Sequence, residues 1–373
     1  HRHTSTLWTA LVIHPLDRDE LRSQVQACIE AELARQRRVL DEVGPDLAAL
    51  VDPVQRLLSG GKRLRAAFAY WGYRAAGRPG SPQLVRLASA MEFFQAAALL
   101  HDDVMDGSDT RRGMPSAHRA AALAHTESGW SGDSDRFGEA TAILAGDLCL
   151  QWTDELYATS GLPAEHLARG RETFDRMRTQ LMGGQFLDVL ESVRGWEGLT
   201  TPERVAAARR VIRFKSAKYT IEAPLLVGAL AGGIAADTAA TLSAYGLALG
   251  EAFQLRDDLL GVFGDPVHTG KPAGDDLREG KRTVLVAYAA DGSAEPERDL
   301  LLSALGDPGL TPQVVADLRA LIHRSGAVER VEADIATLAA EAGAALASFR
   351  AGVDPTAYEV LEALIAVTTD RVT

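Results

Sequence analysis

The sequence predicts an all-α protein, and three observations carry the prediction. Apolar residues recur at three- and four-residue spacing from Arg18 onward, the helix formers Ala, Leu, Arg and Glu prevail, and alternating strand-like runs are scarce. The period marks helices at 25–40, 84–105, 139–160, 167–190, 202–219, 221–230, 238–263, 283–290, 312–325 and 327–350. Several reach or exceed 20 residues, and no solenoid repeat links them. Glycine, proline and polar residues punctuate the helices. They place turns at 59–61 and 78–82, a surface excursion at 126–138, and a long Gly/Asp/Lys loop at 264–281 whose charge suits a lid. No Pro/Ser-rich linker divides the chain, so 18–373 reads as one all-α domain behind an N-terminal tail of residues 1–17.

The 373 residues, 46% hydrophobic and 24% charged, suffice for a large buried core. A net charge of −12 leaves no basic excess to displace counterions and argues against nonspecific nucleic-acid binding. An anionic ligand must then be met by local basic clusters. Two cysteines, Cys28 and Cys149, stand in neither a CxxC nor a zinc pattern and suit a reducing compartment. No apolar window reaches the roughly 20 residues of a membrane span, and the first residues lack the apolar core of a signal peptide. The expected location is the cytoplasm.

Charge concentrates in a few places. Residues 99–114, LLHDDVMDGSDTRRGM, follow an apolar helix and hold four aspartates and two arginines. Asp102 and Asp106 are four apart, on one helical face, with Asp103 rotated away. Like charges at that spacing repel, so a hard divalent cation with oxygen ligands is their natural partner. A second acid pair, Asp257 and Asp258, stands in FQLRDDLLGVFGD behind another apolar helix. Two such helices facing one cavity would hold metal ions, and the ions a diphosphate. Basic groups flank both motifs: Lys62, Arg63 and Arg65 in GGKRLR at a helix start, Arg111 and Arg112, Lys215 and Lys218 in RFKSAKY, and Lys271 in HTGKPAGDD.

In this order the motifs, with GGQFLD at 183–188, resemble those of the trans-isoprenyl diphosphate synthases of the polyprenyl synthetase family, from about Val54 to Arg282. The resemblance implies an isoprenoid-synthase-type bundle of long helices around a central cavity. It implies Asp102, Asp106 and Asp257 as principal metal ligands, with Asp103 and Asp258 in support. It assigns Arg111 to the allylic diphosphate, and Arg112, Lys62, Arg65 and Gln95 to isopentenyl diphosphate. Lys215, Lys271, Gln185 and Asp188 would surround the allylic diphosphate and its metals, and Gln254 the reacting carbons. The catalytic set is thus Lys215, Gln254, Arg111 and Asp188. Two departures stand out: Gly261 replaces the last acid of the second motif, and Gln95 stands where many relatives carry histidine.

The implied reaction is metal-assisted chain elongation, with three Mg2+ ions, or Mn2+ as a substitute, accompanying the diphosphate. The implied partners are isopentenyl diphosphate, an allylic diphosphate (dimethylallyl, geranyl or farnesyl) and a second copy in a homodimer. Ala97 and Ala98 are small where farnesyl-producing relatives often carry aromatic residues. Ala98 lies about 6 Å along the helix from Asp102, and Phe94 about 12 Å. Chain growth past the alanines to Phe93 or Phe94 gives a C20 product, geranylgeranyl diphosphate, with C25 or longer as the alternative. A class I terpene cyclase and a non-catalytic partner subunit are the readings of other classes.

Overall fold

A computed structural model of the chain describes residues 13–370. Its first half comprises α1 (Leu21–Asp41), α2 (Ala48–Leu58), α3 (Leu64–Ala75), α4 (Pro82–Asp106), a hairpin of β1 (Thr110–Arg111) and β2 (Met114–Pro115), α5 (Ala117–Glu127), α6 (Ser134–Ala158) and α7 (Ala164–Val193). The second half comprises α8 (Thr201–Val211), a π-helical segment (Ile212–Glu222), α9 (Ala223–Ala231), α10 (Ala236–Phe263), the short α11 (Pro266–Thr269) and α12 (Asp275–Glu279), α13 (Val284–Asp291), α14 (Glu295–Ala304), α15 (Pro312–Arg324), α16 (Ala327–Ser348) and α17 (Pro355–Thr369). The all-α expectation holds, and the two-residue strands are the only strands among the described residues.

Two helices organise the rest. α4 starts where the Ser81 hydroxyl accepts the Leu84 N–H and Pro82 needs no donor, and Gly107, in the left-handed region, ends it. It packs against α3, α6 and α1. α10 belongs to two apolar clusters: Leu242, Tyr245, Leu249 and Phe253 join the one containing α3 and α4, while Leu255, Leu259 and Val262 join α13, α15 and α16. The two acid motifs ride at the C-terminal ends of these helices.

Several elements depart from the sequence reading, each for a physical reason. α3 begins at the helix start expected in GGKRLR, but its range lies outside the predicted set, because every one of its residues except Arg74 is buried and a helix buried all round shows no amphipathic period. α2, α5, α14 and α17 likewise fall outside the predicted set. The expected break at residue 220 is absent: α8, the π segment and α9 run on without interruption. Pro224 has no N–H to donate, and the helix widens ahead of it, with Ala223 N–H bonding five residues back to Lys218. The 126–138 excursion is shorter than expected, since α6 starts at Ser134. Trp130 packs edge-on against His125 and Phe137 there. The 264–281 loop contains two short helical turns. Leu16 is buried, so the folded body starts before residue 18; residues 1–12 of the predicted tail lie outside the described residues.

Candidate active site

Asp102, Asp106 and Asp188 each place a carboxylate oxygen within 4.8 Å of the other two. The first two come from the last turns of α4 and the third from α7, so the sequence spacing read one face correctly and tertiary packing added the third acid. Lys215 Nζ bridges Asp102 at 3.0 Å and Asp188 at 2.5 Å, and Gln185 Nε2 donates to Asp102 at 2.7 Å. Burial opposes the Asp102 charge, but Lys215, Lys281 and the Gln185 hydrogen bond hold its carboxyl well below the usual range. Burial and the Asp102 charge push Asp106 up to about 7. Asp103 lies apart from this group, nearly buried, in a two-point ion pair with Arg111 (2.6 and 3.2 Å).

The meeting of α7 with the π segment depends on Gly184. A Cβ there would lie 2.4 Å from the Lys215 backbone nitrogen, closer than any side chain permits. The close approach lets Asp188 reach Lys215. Gly184→Ala is expected to spread the two helices and lower kcat about 100-fold, the usual cost of a misplacement near 1 Å. Steady-state kinetics check this, and wild-type kcat would contradict it.

The second acid motif is built differently from the first. Asp257 and Asp258 line the same cavity, of about 330 Å³, as Asp102 and Asp188. Asp258 is buried and accepts from Gln254 Nε2 at 2.9 Å, while Gln254 Oε1 accepts from the Ser216 hydroxyl. Burial and the neighbouring Asp276 raise the Asp258 carboxyl to about 8. The missing acid at Gly261 has a counterpart in space: a Cβ on Gly261 would overlap the Asp276 carboxylate, at 1.9 Å from Oδ2. Asp276 thus brings a carboxylate over the position that the motif leaves bare. Asp265, the next acid, caps α11 by accepting the Val267 N–H.

The cations fall into two sets. Lys215 stands with Asp102 and Asp188, Arg111 with Asp103, Lys271 with Asp275 and Glu279 (3.9 and 3.6 Å), and Lys281 with Asp276 and Glu279 (3.7 and 3.3 Å). Among the described residues Arg65 and Arg112 make no such carboxylate pair: Arg65 bonds Tyr219 and Thr220, and Arg112 bonds the Leu57 and Gly60 carbonyls. Arg112 and Gly113 have φ of 53° and 76°, the left-handed pair of a two-residue hairpin turn, which presents Arg111 and Arg112 together. Gly113 N–H donates to the Gly270 carbonyl and Ser108 to Glu279, so this hairpin and the 264–281 loop meet over the cavity. Lys62 is exposed on the glycine turn before α3. Arg63 leaves the predicted basic cluster, because it is buried on Glu92, Gln26 and the Leu58 carbonyl. Lys218 pairs with Glu222 instead of the acids. Sequence reasoning missed Lys281, Asp276, Ser216, Tyr219 and Thr220; the first two sit in the motif string without a spacing that singles them out.

Along α4, Phe94, Ala98 and Asp102 form one stripe at four-residue spacing. Phe94 meets Tyr219 edge-on at 5.9 Å, while Phe93 meets Trp152 of α6 at 6.1 Å. Ala97 is buried and Ala98 half-buried. Gln95 and Leu99 line the cavity; Phe93, Phe94, Ala97 and Ala98 do not.

The donor set fits magnesium. Asp102, Asp106 and Asp188 offer only oxygen atoms, clustered and half-buried, which suits a small hard cation that keeps waters and substrate phosphates. Binding must displace the proton that Asp106 holds below about pH 7. Mg2+ affinity is therefore expected to weaken roughly tenfold per unit as pH falls below about 7, and to level off above it. Calorimetric titrations from pH 5.5 to 8 check the slope, which Asp106→Asn should flatten; a pH-independent wild-type affinity would contradict it.

The chain is similar to known proteins. The polyprenyl synthetase family model matches residues 48–322. The geranylfarnesyl diphosphate synthase of Aeropyrum pernix is 30% identical over 84% of this chain and 91% of its own length. The geranylgeranyl diphosphate synthase of Mycobacterium tuberculosis is 33% identical over 75% of each chain. The crystal structure of geranylgeranyl pyrophosphate synthase from Corynebacterium glutamicum, complexed with isoprenyl diphosphate and magnesium, is 37% identical. It superposes with a TM-score of 0.89 over 95% of this chain and 99% of that one. With its paired acid motifs on two long helices, the chain belongs to the polyprenyl synthetase family.

Proposed function

We propose that the protein is a Mg2+-dependent trans-prenyltransferase that condenses isopentenyl diphosphate with an allylic diphosphate to give geranylgeranyl diphosphate. The observation that carries this reading is one cavity walled by two acid motifs and by cations of two kinds, some paired with carboxylates and some not. Asp102, Asp106 and Asp188 would hold magnesium on one wall, and Asp257 a further ion from α10, three ions in all. Bound magnesium would neutralise the allylic diphosphate and make it a better leaving group.

The chain's own residues do the rest. Lys215 and Lys271 hold the allylic diphosphate, and Arg111, fixed by Asp103, faces it. Arg65, Arg112, Lys62 and Gln95 hold isopentenyl diphosphate. The allylic C–O bond breaks with its electron pair leaving on the diphosphate, and the isopentenyl double bond forms the new C–C bond. A proton then leaves to the released diphosphate. Ser216 and Gln254 present oxygen dipoles near the developing carbocation, and Leu99 and Phe253 keep water from it. We read the described residues from Leu16 onward as one domain, because α10 belongs to both apolar clusters.

An exposed apolar surface supports a homodimer. Met182, Phe186, Val189 and Val193 form an exposed apolar stripe on α7, and Ile143 and Leu144 lie exposed on α6. A second copy covers this face. Phe186→Glu is expected to convert a dimer to a monomer in analytical ultracentrifugation; an unchanged dimer would place the interface elsewhere.

The reading is tested by supplying isopentenyl diphosphate with dimethylallyl, geranyl or farnesyl diphosphate, with magnesium or with a chelator, and weighing the products. Magnesium-dependent C20 supports it. Chains of C25 or more would revise the length, and no condensation with any starter would favour a non-catalytic partner subunit.

A further inference from the structure

The π segment serves the cavity twice. Its first turn sends Lys215 and Ser216 toward the acids and Gln254; its next turn sends Tyr219 and Thr220 to Arg65 of α3. One Arg65 nitrogen donates to the Tyr219 hydroxyl at 2.7 Å and to the Thr220 hydroxyl at 2.8 Å, and the guanidinium carbon lies 4.3 Å from the centre of the Tyr219 ring. All three side chains are at least nine-tenths buried, and Arg65 Nε makes no hydrogen bond.

The contrast with the neighbouring cations gives this its meaning. Lys215, Arg111, Lys271 and Lys281 are each offset by carboxylates, whereas no carboxylate among the described residues pairs with Arg65. Neutral hydroxyls and an aromatic face fix its direction and leave its charge whole for an incoming anion. A side chain ordered beforehand loses less freedom on binding. We propose that Tyr219 and Thr220 are positioning residues that aim Arg65 at the diphosphate of isopentenyl diphosphate and so set the KM for that substrate. This rests on the proposed prenyltransferase reading.

The test is the Tyr219→Phe/Thr220→Val double variant, assayed by varying each substrate with the other saturating. KM for isopentenyl diphosphate is expected to rise about tenfold. The allylic KM and kcat should stay within about twofold, and in an Arg65→Ala background the same two changes should add nothing. Equal rises in both KM values, an unchanged isopentenyl KM, or full additivity with Arg65→Ala would each overturn the proposal. Thr220→Val and Thr220→Ser, assayed singly, guard against a misfolded double variant: serine must restore the wild-type KM that valine raises. Wild-type enzyme run alongside separates the two claims. No wild-type turnover defeats the prenyltransferase reading and this inference with it, whereas normal turnover with an unchanged isopentenyl KM in the variants defeats the positioning role alone.

Discussion

Asp102→Asn is expected to lower kcat on the order of 10³-fold while leaving the fold intact. Asp102 is the acid on which most of the site converges: Lys215, Gln185 and, at 4.0 Å, Arg111 all approach it, and it is one of the three clustered carboxylates. Asparagine keeps the size and an acceptor oxygen for Gln185 but removes the charge. The carboxylate group then drops to Asp106 and Asp188, and Lys215 retains Asp188 as its close partner. Halving the compensation of a largely buried ammonium also costs stability, up to about 3–5 kcal/mol for complete loss of a partner charge. Rate and melting temperature measured together separate the two effects. A folded variant within tenfold of wild-type kcat would remove Asp102 from the centre of the mechanism.

Ala98→Phe is expected to change the product from C20 to C15. Ala98 lies on the stripe between Phe94 and Asp102, one turn from the acids, and Phe94 is itself fixed by the edge-on contact with Tyr219. On the proposed reading the chain grows from the cavity at Leu99 toward Phe94, and a phenyl ring on Ala98, just outside the cavity lining, would block that path. Overpacking costs about 1–3 kcal/mol, which a half-buried site tolerates. With geranyl diphosphate as starter the variant should release C15 at a rate within about tenfold of wild type, and farnesyl diphosphate should no longer be elongated. An unchanged product distribution would place the limit on chain length elsewhere, with Phe93 and Trp152 of α6 the next residues to change.

What the sequence made legible follows from the range of the interactions. The four-residue spacing of Asp102 and Asp106 is local, so helical geometry alone put them on one face. The helices with an amphipathic stripe were found for the same reason, while α3, buried all round, carried no stripe to read. Asp188 joining the acids, Asp276 standing over Gly261 and Tyr219 meeting Arg65 are products of packing between segments far apart in the chain. Arg63 shows the converse. Its neighbours in GGKRLR suggested a phosphate ligand, yet its left-handed backbone turns it inward onto Glu92. The sequence reading ends one helix at residue 219 and starts the next at 221, whereas a widened turn carries a single helix on toward Pro224.

The central claim is that one cavity holds two diphosphates by different means, one through metal gathered by aspartates and the other through arginines that carry their charge uncompensated. Calorimetric binding of isopentenyl diphosphate and of a non-ionisable allylic thiolodiphosphate, each with Mg2+ and with chelator, tests it most directly. The account predicts that chelation weakens the allylic analogue at least about 100-fold and isopentenyl diphosphate by no more than a few-fold. Equal dependence of both ligands on magnesium, or of neither, would contradict it.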